Sequence, residues 1–397
     1  MPSPDLSTFR AQFPALANKI YFNYGGQGPL SDRAFEAIVS TERQIQTDGP
    51  FNGKINAALS ANSGVTRSAI ADLLGVPETT ISLTEDVTVG CNIALWGLAW
   101  QAGDQIVLTD CEHPGVMAAV AEIARRFDLT VTIAPILNIL NDGDPVAAIV
   151  DRLTPRTRLV IVSHLLWNTG SVLPLAEINR ACHQFPTETG QTIRVLVDAA
   201  QSVGTLPLDL DAIDVDFYAF TGHKWLCGAA GVGGLYVSEA ARQDLAPTFI
   251  GWRSIETDAV GNPTDWKPNG RRYEVATSAY PLYAGLREAI AVHDEWGTAT
   301  ERYAAICDRA FRLWSGLHAI DGVDCWSMSP PRSGLVSFTH VGGQHQTLVN
   351  QLEARGLMLR TILHPDCVRA CVHYFTTEDE IDQLLTAIAD FSRSTSR

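Results

Sequence analysis

Val195-Leu-Val-Asp198-Ala-Ala-Gln201 and Phe217-Tyr-Ala-Phe220-Thr-Gly-His-Lys224-Trp225 decide how this chain folds and where its chemistry sits. Each is a short apolar run that ends in a polar group, the pattern of a strand buried on both faces. Ligands of parallel sheets bind beyond the C-terminal strand ends, which is where Asp198 and Lys224 fall. Asp198 taken alone also reads as the N-cap of a following helix. Lys224, held between His223 and Trp225 just past a buried strand, is poorly accounted for as a solvated surface residue. Burial disfavours its ammonium form, and a lysine of lowered pKa is a Schiff-base former. A carboxylate for a pyridinium nitrogen and a lysine for an aldehyde are the two protein groups that pyridoxal phosphate requires.

Outward from these runs, residues 60 to 236 alternate helix-like and strand-like segments. Strands are expected at Thr80–Leu83, Ile106–Leu108, Val131–Ala134, Leu159–Val162, Val195–Val197, Asp216–Ala219 and Gly234–Val237. Helical spacing occupies Ser60–Leu74, Thr88–Trp100, Pro114–Arg126 and Pro145–Leu153. Short apolar strands separated by helices of 10–15 residues give an α/β class with a mostly parallel sheet covered on both faces. After Tyr236 the pattern changes. Residues 250–274 form a polar Gly/Pro/Trp-containing stretch, a length that in a compact enzyme is usually functional or mobile. Helices then run through Leu282–Leu317, and a smaller α+β unit follows. The expected division is a large unit over 18–280 and a small one formed by 1–17 with 281–397.

The chain has 397 residues, 46% hydrophobic and 18% charged, enough to bury a large core and to exclude disorder. A net charge of −15 repels phosphate backbones and anionic membranes, so nucleic acid and membrane are poor partners. Met1–Leu16 has neither a basic nor an apolar targeting region, and no apolar run approaches the ~20 residues that span a bilayer. Eight cysteines with no CxxC pair fit reduced thiols in a cytosol and argue against a metal site. Only Lys19, Lys54, Lys224 and Lys267 are available to any chemistry that needs a lysine.

Other segments supply candidates. Thr84-Glu-Asp-Val-Thr88-Val-Gly-Cys-Asn92 follows a strand and opens a helix, whose free N–H groups and positive end can hold a phosphate; an ordinary helix start has the same look. No GxxxxGK[ST] occurs. Gly231-Val-Gly-Gly234 precedes a strand instead of opening a helix, so it is not a dinucleotide fingerprint. His113, in Cys111-Glu-His-Pro-Gly115, lies past a strand end where an imidazole could stack on a cofactor ring. In Ser163-His-Leu-Leu-Trp167-Asn168-Thr-Gly170, Asn168 could bond the cofactor's phenolic oxygen and Trp167 could wall the pocket.

These segments, taken in order with Tyr21–Gly28, Gly251-Trp-Arg-Ser254 and Glu274–Tyr280, resemble the class V aminotransferases. That fold-type I pyridoxal-phosphate family includes cysteine desulfurases, and within it the resemblance is greatest to the L-cystine C–S lyases. It implies Lys224 as the lysine that carries the cofactor, Asp198 as the pyridinium partner, Gln201 as a donor to the phenolic oxygen and His113 as the stacked ring. Thr88, Thr221 and His223 match phosphate ligands. Thr277 matches a residue that reaches the phosphate of the other subunit, which implies a homodimer. Arg360 and Arg369 match carboxylate-binding arginines of an amino-acid substrate such as cystine, and Trp167 and Trp252 fall among the substrate residues. Either arginine also reads as a surface ion pair.

Desulfurases carry a nucleophilic cysteine on a flexible loop between those two arginines. Here the interval is Thr361-Ile-Leu-His-Pro-Asp-Cys-Val368, too short for that loop. Cys367 is expected to be a small core residue entering a strand. Without a thiol acceptor, the resemblance implies β-elimination to a persulfide or thiol, pyruvate and ammonia, supplying sulfur, for example, for iron–sulfur clusters. A desulfurase using Cys367, an epimerase or another side-chain lyase of the family, and a cofactor-less binding protein are the alternatives.

Overall fold

The computed structural model describes residues 5–395. Its centre is a seven-stranded sheet. The strands are β1 (Ile81–Thr84), β2 (Gln105–Thr109), β3 (Thr130–Ala134), β4 (Thr157–Ser163), β5 (Arg194–Asp198), β6 (Phe217–Thr221) and β7 (Gly233–Val237). Their spatial order is β1-β7-β6-β5-β4-β2-β3. Strand β7 runs antiparallel to both its neighbours and the other pairs are parallel. The expected strands are all present, within two residues at each end.

Alternate residues of each strand enter opposite cores, as a pleat of period two requires. Val107, Val160, Val162, Val195, Val197, Tyr218 and Phe220 face one core. Ile106, Leu108, Leu159, Ile161, Leu196, Phe217 and Ala219 face the other, under helices Val87–Gly97 and Pro114–Phe127. Burial on both faces is why these strands read as unbroken apolar runs.

The small unit is a four-stranded antiparallel sheet of β8 (Val323–Cys325), β9 (Leu335–His340), β10 (Arg360–Leu363) and β11 (Asp366–Cys371), in the order β8-β9-β11-β10. Helices Ala299–His318, His345–Ala354 and Glu378–Thr395 cover it. It docks on the segment after β4: Ser337 Oγ donates to the Asn168 carbonyl at 2.6 Å and Ser333 Oγ to that of Gly170 at 2.8 Å.

Three features differ from the sequence reading. Helix Tyr280–Trp296, expected with the small unit, packs through Tyr283, Leu286 and Ile290 into the large unit's core. Phe9, Phe13 and Leu16, also expected with the small unit, insert among Trp225, Val292, Leu335, Tyr374 and Phe375 from both units. Residues 250–274 are not an open loop. They hold a hairpin of Ile255–Thr257 with Pro263–Trp266, and their ends are tied down by a buried carboxylate. Glu274 accepts from Arg67 at 2.6 Å, from Arg253 at 2.5 Å and from the Leu83 amide at 3.1 Å.

Candidate active site

Strands β4, β5 and β6 end side by side, with Ser163 paired to Asp198 and Asp198 to Ala219. Their register places a carboxylate in the middle of the sheet's C-terminal edge. Asp198 is buried, and its Oδ1 accepts from the Ala200 amide at 2.9 Å, which turns the side chain along the edge. Lys224 follows β6. Among the described residues its amine has no hydrogen bond or ion pair. Burial holds its pKa down to about 8 against the pull of the Asp198 carboxylate, with Arg369 and Arg360 adding to the depression.

His113 caps helix Pro114–Phe127, its Nδ1 accepting from the Gly115 amide at 3.1 Å. That bond leaves Nε2 as the protonated nitrogen. Burial chiefly lowers its pKa, and Lys224, Arg360 and Arg369 add to the effect while Asp198 opposes it. The Trp167 indole meets the imidazole edge to face at 5.2 Å and donates to the Cys111 carbonyl at 3.1 Å. Beneath them lies Glu112, a buried carboxylate to which the sequence reading gave no role. It accepts from Thr109 Oγ1 at 2.6 Å, Ser163 Oγ at 2.8 Å and the Ser163 amide at 3.1 Å, fastening the ends of β2 and β4 together. Burial pushes its pKa up to about 7 despite those donors. An acid between the motif's cysteine and histidine, just past a strand end, was the available signal.

Thr88 lies in the first turn of helix Val87–Gly97, whose N-cap is Asp86. Asp86 Oδ1 already takes the Val89 amide at 2.9 Å, so one of the free N–H groups is spent before any anion arrives. Thr221 Oγ1 and His223 Nδ1 are 2.6 Å apart. Gly233 brings the two halves of this cradle together: a Cβ there would meet the Phe220 carbonyl at 2.3 Å, Thr221 Cα at 3.1 Å and Asp86 Cα at 3.2 Å. The Gly231–Gly234 run therefore serves close packing.

The substrate side is carried by β10 and β11, where Arg360 and Arg369 are register partners. Arg369 is 1% exposed and has no carboxylate partner among the described residues. Its Nη1 donates to the Trp167 carbonyl at 2.7 Å, Nη2 to Asn23 Oδ1 at 3.4 Å, and Nε has no partner. Arg360 is exposed. Gln201 donates to the Gly25 carbonyl at 2.9 Å and accepts from Trp225 Nε1 at 2.8 Å, leaving one amide hydrogen. Asn168 donates to the His364 carbonyl at 3.2 Å, and its Oδ1 is buried without a partner.

Pyridoxal phosphate fits these residues. A lysine amine and one oxygen of Asp198 stand free of protein partners, Asn168 Oδ1 and Arg369 Nε are orphaned, and hydroxyl and imidazole groups gather at a helix start. Thr277 and Trp252 stand apart. Both line a groove of about 1100 Å³, walled also by Phe51, Arg67, Arg253 and Tyr280, that includes none of the residues around Lys224.

Comparison with known proteins identifies the family. A solved structure of the cystine C-S lyase C-DES with its reaction product cysteine persulfide is 51% identical to this chain. It covers 96% of this chain and 99% of its own, with a TM-score of 0.93. A C-DES mutant with glycine covalently linked to its PLP cofactor is 50% identical, covers 98% and 100%, and has a TM-score of 0.94. Isopenicillin N epimerase of Streptomyces clavuligerus is 28% identical over 394 residues, 94% of each chain. The family model for aminotransferase class-V matches residues 53–384, and the chain belongs to that family.

Proposed function

We propose that this chain is a pyridoxal-phosphate-dependent carbon–sulfur lyase. Its reaction is β-elimination on L-cystine or a related cysteine derivative, giving a cysteine persulfide or thiol, pyruvate and ammonia. One observation carries the choice of elimination over persulfide transfer to the enzyme. The stretch between Arg360 and Arg369 is a tight hairpin of β10 and β11, and Cys367 within it is 0% exposed. Cys367 sits in a paired strand and not on a loop, and burial pushes its pKa up to about 12, which keeps the thiol protonated near neutral pH. The likeness to a cystine C-S lyase at 51% identity supports the same reading.

Lys224 and Asp198 would hold the cofactor's aldehyde carbon and ring nitrogen, with Thr88, Thr221 and His223 at its phosphate, Gln201 and Asn168 at its phenolic oxygen and His113 against its ring. Bound there, pyridoxal phosphate supplies an electron sink for the carbanion formed at the substrate's Cα. Arg369 supplies a buried guanidinium for the α-carboxylate, and Arg360 a second one for a distal carboxylate. Lys224 Nζ takes the proton from Cα, a role suited to an amine with a pKa near 8. The Asp198 carboxylate keeps the ring nitrogen protonated. Trp167 and His113 close one wall against water. The Cβ–S bond then breaks with its electron pair on sulfur, and the remaining carbon skeleton takes up one water to give pyruvate and ammonia.

A homodimer belongs to this reading. Thr277 and Trp252 line their groove beside Phe51, which is 89% exposed, and Phe249, Ile250 and Val275 are exposed nearby in sequence. Exposed aromatic area of this kind marks an interface. No helix among the described residues is long and apolar enough to cross a membrane.

The test supplies L-cystine and L-cysteine separately to the cofactor-loaded protein and follows pyruvate and persulfide together. Pyruvate in step with persulfide from cystine, and none with Lys224→Ala, is the expected result. Alanine from cysteine with sulfur left on the protein would overturn the proposal in favour of a desulfurase.

A further inference from the structure

The turn that carries Lys224 rests on two buried imidazoles that the reaction does not use. The Lys224 carbonyl accepts from the Cys227 amide at 3.0 Å, which closes a turn with Trp225 and Leu226 at its centre. Cys227 has φ of +51°, a left-handed backbone that a non-glycine residue adopts only under constraint. Each central carbonyl takes an N–H from a histidine: His373 Nε2 reaches that of Trp225 at 3.1 Å, and His293 Nε2 that of Leu226 at 2.8 Å. The two rings stack at 5.6 Å, and His373 also stacks on the Trp225 indole at 5.7 Å. Tyr374 hydroxyl, 2.6 Å from His293 Nδ1, fixes that tautomer. Burial lowers both imidazole pKa values, so the rings stay neutral donors.

His373 lies two residues past β11, the strand that carries Arg369. On the other side, Trp225 bonds Gln201, Gln201 bonds the Gly25 carbonyl, and a Cβ on Gly25 would meet Arg369 Nη2 at 3.0 Å. A closed circuit therefore joins the lysine's turn to the guanidinium.

We propose that His373 is a positioning residue whose hydrogen bond to the Trp225 carbonyl sets the Lys224 amine relative to the carboxylate held by Arg369. This rests on the reading of Lys224 and Arg369 given above. His373→Phe keeps the stacked ring and removes the donor; His373→Gln restores an N–H at a similar reach. In the cofactor-loaded enzyme, H373F should lose about 10- to 100-fold in kcat with KM changed much less, the cost of a small misplacement of a reacting group. The pH midpoint of the cofactor's visible absorption should shift with it, and H373Q should recover both. H373F with unchanged kcat and midpoint overturns the proposal. So does H373Q that fails to recover either readout. If neither H373F nor His373→Met folds while H373Q is active, the bond serves folding and the proposal also fails. Lys224→Ala separates the two levels: turnover retained there sinks the reading of Lys224, whereas a dead K224A with an unchanged H373F sinks only the role of His373.

Discussion

Replacing Arg369 with Met separates the two things a buried arginine can do. Arg67 and Arg253 are buried on one shared carboxylate, Glu274, and removing that carboxylate leaves both guanidiniums buried and unpaired, which costs about 3–5 kcal/mol. Arg369 is at least as buried, yet its partners are a carbonyl, an amide oxygen at the limit of hydrogen bonding, and nothing at Nε. Arg369→Met orphans the Trp167 carbonyl, at about 1–3 kcal/mol. It also removes a cation whose desolvation costs several kcal/mol. The two nearly cancel, so the unliganded protein should keep its stability within about 2 kcal/mol, while Glu274→Met should lose more than that. Catalysis should respond in the opposite way. Two charge-assisted hydrogen bonds to a substrate carboxylate, at about 1.5–3 kcal/mol each, correspond to a loss of roughly 10²–10⁴ in kcat/KM. Chemical denaturation of both variants and steady-state kinetics on cystine make the comparison. An R369M enzyme that unfolds like E274M and keeps kcat/KM within about tenfold would refute the argument and make Arg369 structural.

Cys367→Ser should leave sulfur release within about twofold of wild type at a stability cost near 1 kcal/mol, since the thiol is a buried packing group; loss of persulfide production would return it to the chemistry. Glu112→Gln should alter the pH dependence of stability. The folded-state pKa near 7 lies above the ordinary value of 4.5, so the wild-type contribution is full below pH 4.5 and lost as pH rises through 7. E112Q should therefore gain relative to wild type between those limits, and parallel profiles in urea denaturation would count against it. Gly25→Ala puts a methyl 3.0 Å from both Arg369 Nη2 and Gln201 Oε1, and should raise KM for cystine several-fold with a stability loss of about 1–3 kcal/mol. An unchanged KM would mean that Arg369 can move without consequence.

The strands were legible because burial on both faces leaves nothing but apolar residues between Leu159 and Val162 or Val195 and Val197. The place of the candidate site was legible where a polar residue ends such a run, as at Asp198 and just past Phe220. Contacts distant in the chain were not. Arg369 meets Asn23 across 346 positions and the Trp167 carbonyl across 202, and no local pattern announces either. The Arg67–Glu274–Arg253 triad was hidden for the same reason, and it converts an expected loop into a fixed edge. Helix Asp32–Asp48 escaped notice because one buried residue, Ala34, is all it contributes to the core. Strand β7 carries the same apolar run as its parallel neighbours, so its reversed direction lies in the connection and not in its composition.

Six of the eight cysteines are buried and the other two half-buried, and burial raises the pKa of Cys91, Cys111, Cys182, Cys227, Cys307, Cys325 and Cys367. A catalyst that liberates reactive sulfur would, in this form, offer none of its own sulfur to it. On the proposed reading, a released persulfide would meet no fully exposed protein thiol among the described residues, so its fate would be set by whichever small acceptor meets it in solution. Delivery would then follow the abundance of that acceptor, and the enzyme would keep no store and need no reductive reset between turnovers.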